Sequence, residues 1–147
     1  MRKTRGFTLV ELISIMIILG IIAAVAIPRM TGGSEFRAVE FHDSTVAALR
    51  FAQKSAISHR RMVCIAFSAS TVTLTIDATR TGNCNGQALR LPGSNTNVLT
   101  SSDPSNVTFN PIPVNFNFLP NGTGTDRVLA IAGQPAIVVS GATGYVQ

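Results

Sequence analysis

The chain contains few of the residues from which catalytic and metal sites are usually built. Among its 147 residues are two cysteines, two histidines and seven acidic side chains. It has no phosphate-binding loop, no HExxH sequence and no paired-cysteine motif. His42, Asp43 and Ser44 are adjacent on a predicted helix, so their side chains point in different directions and cannot form a triad by themselves. We therefore predict no catalytic residues, no metal site and no cofactor.

The N-terminal segment has the length and composition of a membrane helix. Residues 7–27 are apolar apart from Thr8, Glu11, Ser14 and Gly20. At about 1.5 Å per residue they span roughly 32 Å, which matches a hydrocarbon core. Three basic residues precede the segment, and Arg29 alone follows it closely. The positive-inside rule therefore predicts a cytoplasmic N-terminus and an exported remainder.

Glu11 is the unusual residue of this segment. A carboxylate near the bilayer centre costs roughly 2.5–3.5 kcal/mol on insertion scales, and such residues are usually functional. Glu11 therefore needs a partner. The alternative is an ordinary secretory signal, for which Ala24-Val25-Ala26 could supply the cleavage site. Against it, Glu11 interrupts the apolar core, and the run exceeds the usual length of about 7–15 residues.

The residues Arg5-Gly-Phe-Thr-Leu-Val-Glu-Leu12, followed by the apolar run up to Pro28, resemble the N-terminus of type IV pilin and type II secretion pseudopilin precursors. The resemblance implies cleavage by a prepilin peptidase between Gly6 and Phe7 and N-methylation of Phe7. It also implies that Glu11 of one subunit pairs with the Phe7 amine of the next. Such a contact at 4 Å is worth about 4 kcal/mol at an effective dielectric near 20, with desolvation to be offset against it. The implied partners are other pilins or pseudopilins, the inner-membrane assembly platform and, indirectly, an assembly ATPase.

Cys64 and Cys84 lie in the part of the chain that is predicted to be exported. An oxidising compartment permits a bridge between them. Nineteen residues separate the two, and closing a loop of that size stabilises a fold by about 3 kcal/mol. Two cysteines without close histidines make a poor zinc site, so a structural disulfide is favoured.

A second helical stretch follows the apolar segment. Pro28 and Gly32-Gly33 predict a bend or fraying between Pro28 and Ser34, with Ser34 as the cap of the new helix. A core face is predicted from the apolar positions Phe36, Val39, Val46, Leu49, Ala52 and Ala56. The opposite side carries Arg50, Lys54 and Arg61.

After residue 61 the pattern changes to short β-forming segments separated by Pro, Gly and Asn clusters. The predicted strands are residues 62–67, 72–76, 87–91, 107–109, 114–118, 128–132, 136–140 and 145–147, with Gly133-Gln134 turning the last hairpin. The predicted fold class is α+β. A long bent N-terminal helix, whose first half spans the membrane, packs its second half on a C-terminal antiparallel β head of two small sheets. The resulting organisation is a leader at residues 1–6, a transmembrane or filament-core helix at 7–28, its amphipathic second half at 29–61 and the β-rich head at 62–147.

Three parts of the exported half carry a second resemblance: Ala48-Leu-Arg-Phe-Ala-Gln-Lys-Ser-Ala-Ile57 leading into Arg61-Met-Val-Cys64, then Phe116-x-Phe-x-Pro-x-Gly122, and the closing Ile137-Val-Val-Ser-Gly-Ala-Thr-Gly-Tyr-Val146. They resemble minor pilins of the pseudopilin H and FimT type, and an MSHA-type minor pilin is equally compatible. We therefore predict a non-enzymatic, single-pass inner-membrane precursor that joins a pilus or pseudopilus with its head in the periplasm. DNA binding during DNA uptake is the alternative, with Arg50, Lys54, Arg60 and Arg61 as candidate phosphate contacts. It is not favoured, because loss of the three leader cations leaves nine basic against seven acidic side chains, an excess of only two.

Overall fold

A computed structural model describes residues 7–26, 33–84 and 86–147. The chain divides into two compact units, Met1–Gly33 and Ser34–Gln147, and each is described by itself. The first contains helix α1 (Leu9–Ala26), and helix α2 runs over Gly33–His59. The bend expected at Pro28 and the leader at residues 1–6 lie outside the described residues. Within the described parts of the chain, no helix is both long and apolar enough to cross a membrane.

In the described residues after α2, seven strands form two antiparallel sheets. They are β1 (Val63–Phe67), β2 (Thr71–Ile76), β3 (Gln87–Ala88), β4 (Val98–Thr100), β5 (Phe116–Phe118), β6 (Arg127–Leu129) and β7 (Ile137–Val139). The larger sheet has the order β3-β2-β1-β5, with β4 pairing along the same strand β2, and the smaller sheet consists of β6 and β7. The predicted α+β fold with two small antiparallel sheets is confirmed.

Two of the predicted strands are reduced to single bridges, most of the others are shorter than predicted, and one strand was not predicted. Residues 107–109 and 145–147 contribute single bridges, Phe109 to Ile131 and Val146 to Val139. Strand β4 pairs Val98 with Thr73 across a connection rich in Gly, Ser and Asn. It was missed because its partner lies 25 residues earlier along the chain and its own three residues give too little alternation to stand out from a loop. Gly133-Gln134 does turn the β6–β7 connection, because the Gln134 N–H donates to the Ile131 carbonyl at 3.1 Å.

The hairpin of β1 and β2 reflects the alternation of apolar and hydroxyl side chains along β2. Val72, Leu74 and Ile76 are buried, while the threonines between them are half-buried. A strand with one apolar and one hydroxyl-bearing face covers a core on one side and meets solvent on the other. Strand β1 lies between β2 and β5, and its first three residues are all buried.

The core face of α2 differs from the predicted one. The residues that face the core are Ala38, Phe41, Thr45, Ala48, Leu49, Ala52, Ser55 and Ala56. Phe36 and Val39 lie outside this set, with exposed fractions of 83% and 45%, so their assignment to the core was wrong. The buried face consists mostly of small side chains. A prediction from the spacing of apolar residues overlooks small polar residues on that face such as Thr45 and Ser55. The helix begins at Gly33, one residue before the predicted cap Ser34.

Aromatic side chains connect α2 to a loop of the head and to its larger sheet. Phe41 of α2 contacts Phe109 with ring centroids 5.1 Å apart, and Phe109 contacts Phe67 of β1 at 5.5 Å. Phe67 in turn lies 5.9 Å from Phe116, which contacts Phe118 at 5.4 Å. These distances are typical of favourable aromatic pairs. The row of rings joins helix, loop and sheet into one core.

Polar side chains of α2 hold the loops of the head. Arg37 forms an ion pair with Asp103 at 3.2 Å. Arg50 donates two hydrogen bonds, from Nε at 3.1 Å and from Nη2 at 3.0 Å, to the carbonyl of Val146. Gln53 Nε2 donates to the carbonyl of Thr143 at 2.8 Å. The C-terminal segment is therefore attached to the helix by side-chain contacts as well as by the bridge at Val146.

Candidate functional site

The N-terminus of α1 is closed by a side-chain cap. Thr8 immediately precedes the helix, and its Oγ1 accepts a hydrogen bond from the backbone N–H of Glu11 at 3.3 Å. Glu11 is the third helical residue, so Thr8-Leu-Val-Glu11 has the spacing of a capping box. This cap was not predicted, although the Thr-x-x-Glu pattern in the sequence indicates it. The carboxylate therefore belongs to the first turn of the helix, where the helix dipole favours negative charge.

The other polar side chain of α1 is satisfied within the helix. The Ser14 hydroxyl donates to the carbonyl of Val10, one turn earlier, at 2.8 Å. The large apolar side chains of this helix are exposed, from Leu9 at 74% to Ile22 at 57%. A helix with this much uncovered apolar surface requires an apolar environment or apolar neighbours.

Phe7 is the first described residue, and it lies four positions before Glu11. Its side chain is 76% exposed. Gly6, the other residue of the predicted cleavage site, lies outside the described residues. Cleavage at this point would place a new amine immediately before the Thr8 cap, at the same helix end as the Glu11 carboxylate.

The predicted bridge between Cys64 and Cys84 is present, with the two Cα atoms 5.7 Å apart. The loop that leads to Cys84 is organised by Asp77, whose carboxylate accepts hydrogen bonds from the N–H groups of Thr79 at 3.0 Å and Gly82 at 2.7 Å. Burial opposes ionisation of Asp77, but these N–H donors outweigh it and hold its pKa below the ordinary value. No role was predicted for Asp77. An Asp followed by a Thr- and Gly-containing turn was the available signal.

Some of the residues predicted as DNA contacts, on and near α2, have structural roles. Arg50 donates its hydrogen bonds to the Val146 carbonyl, as described above. Arg60 follows the last residue of α2 and has a left-handed backbone with φ of 51°. The N–H groups of Arg60 and Arg61 donate to the carbonyls of Ile57 and Ala56, the hydrogen-bond pattern of a Schellman cap. Arg61 thus lies beyond the helix rather than on its face, and the predicted alignment with Arg50 and Lys54 does not extend to it. Lys54 is exposed on α2.

The other candidate groups do not form a reactive site. His42 Nδ1 contacts Asp43 Oδ1 at 2.9 Å, so these neighbours do meet, contrary to the prediction that adjacent residues diverge. Ser44 instead lines a groove of about 320 Å³ between α2 and residues 91–100. None of the described residues lining this groove is titratable. Within the described part of the chain, no group of three or more His, Cys, Asp or Glu side chains could hold a metal ion.

Comparisons with known proteins agree with both the N-terminal sequence and the fold. Residues 1–27 match the prokaryotic N-terminal methylation motif. No curated protein matches the chain in sequence. The minor pseudopilin EpsH from the type 2 secretion system of Vibrio cholerae is similar in structure, with a TM-score of 0.56 and 13% identity over 76% of this chain and 94% of that one. A second structure of EpsH gives a TM-score of 0.58 at 13% identity, over 77% and 93%. The type IV minor pilin FimU of Pseudomonas aeruginosa gives a TM-score of 0.51 at 22% identity, over 76% and 84%.

The methylation motif and the fold together define a class of protein. The chain has a prepilin-type N-terminus and the fold of the minor pilins and pseudopilins.

Proposed function

We propose that the chain is the precursor of a minor pilin or pseudopilin, cleaved between Gly6 and Phe7, methylated at Phe7 and added to a filament through its N-terminal helix. Residues 1–6 are the leader, residues 7–28 cross the inner membrane before assembly and form the filament core afterwards, and the head lies in the periplasm. The assembly platform extracts the subunit from the membrane, driven indirectly by an ATPase. The chain itself catalyses no reaction.

The position of Glu11 carries this proposal. Its carboxylate lies in the first turn of an apolar helix, four residues after the amine that cleavage would create. A positive and a negative group at one end of an otherwise uncharged helix can align neighbouring subunits, because any other axial offset leaves a charge without a counter-charge in an apolar core. The pair therefore defines the register of assembly more than it adds stability.

The Thr8 cap provides a competing role for Glu11, which an experiment must separate from pairing. A first-turn glutamate stabilises the helix end through the capping box and the helix dipole. Glutamine also serves in a capping box but carries no charge. Glu11→Gln therefore preserves the capping side chain and removes the ion pair, whereas Glu11→Val removes both.

We expect both variants to be cleaved normally and to fail in filament incorporation. The measurement is the fraction of mature protein in sheared or affinity-purified filaments relative to the membrane fraction. Ser14→Ala is the matched control, because it changes a polar residue one turn further along that bonds only to its own helix. If Glu11→Gln is incorporated as well as the unaltered chain, the charge is dispensable and the pairing is wrong.

Processing is tested separately by intact-mass analysis of protein from cells that contain the peptidase. The expected mature chain begins at Phe7 and carries one additional methyl group on its amine. A chain beginning at Ile27 would identify an ordinary secretory signal instead. The same measurement in cells that lack the peptidase should return the uncleaved precursor with residues 1–6.

A further inference from the structure

The two residues of the bridge between Cys64 and Cys84 lie in different surroundings. Cys64 is the second residue of β1, which lies between β2 and β5 in the larger sheet, and only 6% of its surface is exposed. Its neighbours Val63 and Ile65 belong to the core, so Cys64 points to the opposite face of the sheet. Cys84 lies in the loop after β2 and is exposed. The bridge therefore joins one covered residue to one accessible residue.

This difference in access determines which sulfur can react. In thiol–disulfide exchange a thiolate attacks one sulfur of the bond and the other sulfur leaves as a thiolate, so the attacked sulfur must be accessible. The flanking strands leave little room for such an approach to Cys64, which is paired with Thr75 on one side and Asn117 on the other. A thiolate that attacks Cys84 Sγ instead approaches from solvent and displaces Cys64. Exchange in the folded head is therefore expected at Cys84.

The loop that carries Cys84 is also held by contacts other than the bridge. The backbone N–H of Asp77 donates to the Met62 carbonyl at 2.9 Å, which fixes the start of the loop beside β1. The Asp77 carboxylate accepts hydrogen bonds from the N–H groups of Thr79 at 3.0 Å and Gly82 at 2.7 Å. Cys84 follows Gly82 by two residues, so the chain keeps it within about 7 Å of that position. Opening the bridge therefore leaves Cys84 near Cys64.

We propose that Cys84 is a site of thiol–disulfide exchange in the folded head, where a dithiol oxidoreductase forms a mixed disulfide while Asp77 holds Cys84 near Cys64. To close the bridge, the Cys84 thiolate attacks the disulfide of the oxidoreductase and displaces one of its sulfurs as a thiolate. The Cys64 thiolate then attacks Cys84 Sγ, and the second sulfur of the oxidoreductase leaves as a thiolate. Two electrons pass from the two cysteines to the oxidoreductase, and the cysteine protons pass to solvent. Opening by a thiol reverses these steps.

A bridge that acts only as a static staple would behave differently. It would form in the unfolded chain, where both cysteines are equally accessible, and it would not exchange once the head has folded. The proposal requires exchange in the folded head at one of the two positions. It concerns the head alone, so its failure would leave the proposed filament role unaffected, and the filament tests above do not decide it.

Reduced glutathione is the probe, and the full unaltered chain in detergent is the material. The chain is incubated with glutathione, its free thiols are blocked with N-ethylmaleimide at low pH, and it is digested with trypsin. Cleavage after Arg61, Arg80 and Arg90 places the two cysteines in separate peptides, Met62–Arg80 and Thr81–Arg90. Mass spectrometry then shows which cysteine carries glutathione and which carries maleimide.

We expect glutathione on Cys84 and maleimide on Cys64, in about tenfold or greater excess over the reverse pattern, because access limits attack at the covered sulfur. The control is the same reaction in concentrated urea, where the two patterns should be nearly equal. In the folded chain, glutathione mainly on Cys64, equal labelling of the two cysteines, or no glutathione on either would each overturn the proposal.

The positioning role of Asp77 is tested by the equilibrium between bridged and reduced chains in mixtures of reduced and oxidised glutathione. Asp77→Asn should lower the equilibrium constant for bridge formation by about tenfold, because it weakens the hydrogen bonds that hold Cys84 in place. Asp103→Asn is the matched control, because Asp103 also accepts hydrogen bonds, from Arg37 and Asn106, but lies outside the segment between the cysteines. It should leave the equilibrium unchanged.

Circular dichroism is recorded for both variants in the bridged and reduced states. Equal shifts in the two variants, or no shift in Asp77→Asn, would refute the positioning role. Loss of the folded spectrum of Asp77→Asn on reduction would also refute it, because Asp77 would then support the fold rather than the position of Cys84. The labelling of the unaltered chain decides the assignment of Cys84 in every case.

Discussion

The attachment of the C-terminal segment to α2 depends on the absence of a side chain at Gly144. This residue has a left-handed backbone with φ of 69°. An added Cβ would collide with the carbonyl oxygen of Gly122 and would lie 2.6 Å from Gln53 Nε2. The same Gln53 nitrogen donates to the carbonyls of Thr143 at 2.8 Å and Gly122 at 3.4 Å. Gly144→Ala therefore strains the backbone and displaces the side chain that fixes this corner.

The expected loss of unfolding free energy is about 3–4 kcal/mol. The left-handed conformation costs a residue with a Cβ about 1–2 kcal/mol, and the two hydrogen bonds of Gln53 contribute about 1 kcal/mol each. Gly133→Ala is the matched control, because Gly133 has a similar φ of 76° but nothing within 4 Å of the added Cβ. It should lose only the backbone contribution of about 1–2 kcal/mol. Urea unfolding of the unit Ser34–Gln147 measures both, and equal losses in the two variants would refute the argument.

Three other changes should alter stability in defined directions. Arg60→Gly should raise the unfolding free energy by about 1 kcal/mol, because glycine adopts the left-handed cap position without strain; the urea midpoint would rise, and a fall would contradict the cap. Thr45→Val should also stabilise by about 1 kcal/mol, because the buried Thr45 hydroxyl has no hydrogen-bond partner among the described residues; a loss of stability would show that the hydroxyl is satisfied. The pKa of Asp77 is lower in the folded protein than the value of 3.8 expected for the unfolded chain. Its ionised carboxylate therefore contributes fully to the unfolding free energy above pH 3.8, and this contribution is lost as the pH falls through the lower pKa of the folded state. Asp77→Asn should therefore be less stable at neutral pH, and its unfolding free energy should change less with pH in the acid range. An unchanged dependence of the unfolding free energy on pH would contradict this assignment.

The parts of the fold that could be predicted are those encoded by neighbouring residues. The alternation in β2 and the short link after β1 lie within 14 residues and predict the hairpin. The N-terminal motif is equally local, since the spacing between Gly6, Phe7 and Glu11 is fixed within one and a half helical turns. The disulfide followed from the expected compartment and from the presence of only two cysteines.

The parts that could not be predicted depend on contacts between distant residues. The Gln53 side chain meets Thr143, 90 positions later, and no local pattern indicates which glutamine of a helix will be used in this way. Phe36 was assigned to the core because apolar periodicity cannot distinguish a face that packs on the rest of the chain from a face that stays exposed. Thr45 and Ser55 were overlooked for the opposite reason, since small polar residues can be buried where a helix lies close to a sheet.

The capping role of Glu11 and its proposed pairing with the Phe7 amine are compatible because they would act at different stages. Before assembly the carboxylate lies in a capped first turn, where the helix dipole contributes about 0.3–1 kcal/mol to the charged form. A carboxylate at the membrane centre costs roughly 2.5–3.5 kcal/mol, which is an upper limit for Glu11 because it lies in the first turn of the helix, and the helix dipole offsets part of that cost. In the proposed filament, a neighbouring Phe7 amine would offset the remaining cost only where two helices meet in one axial offset. Under that proposal, the same residue gives the subunit a reason to join a filament in a single register.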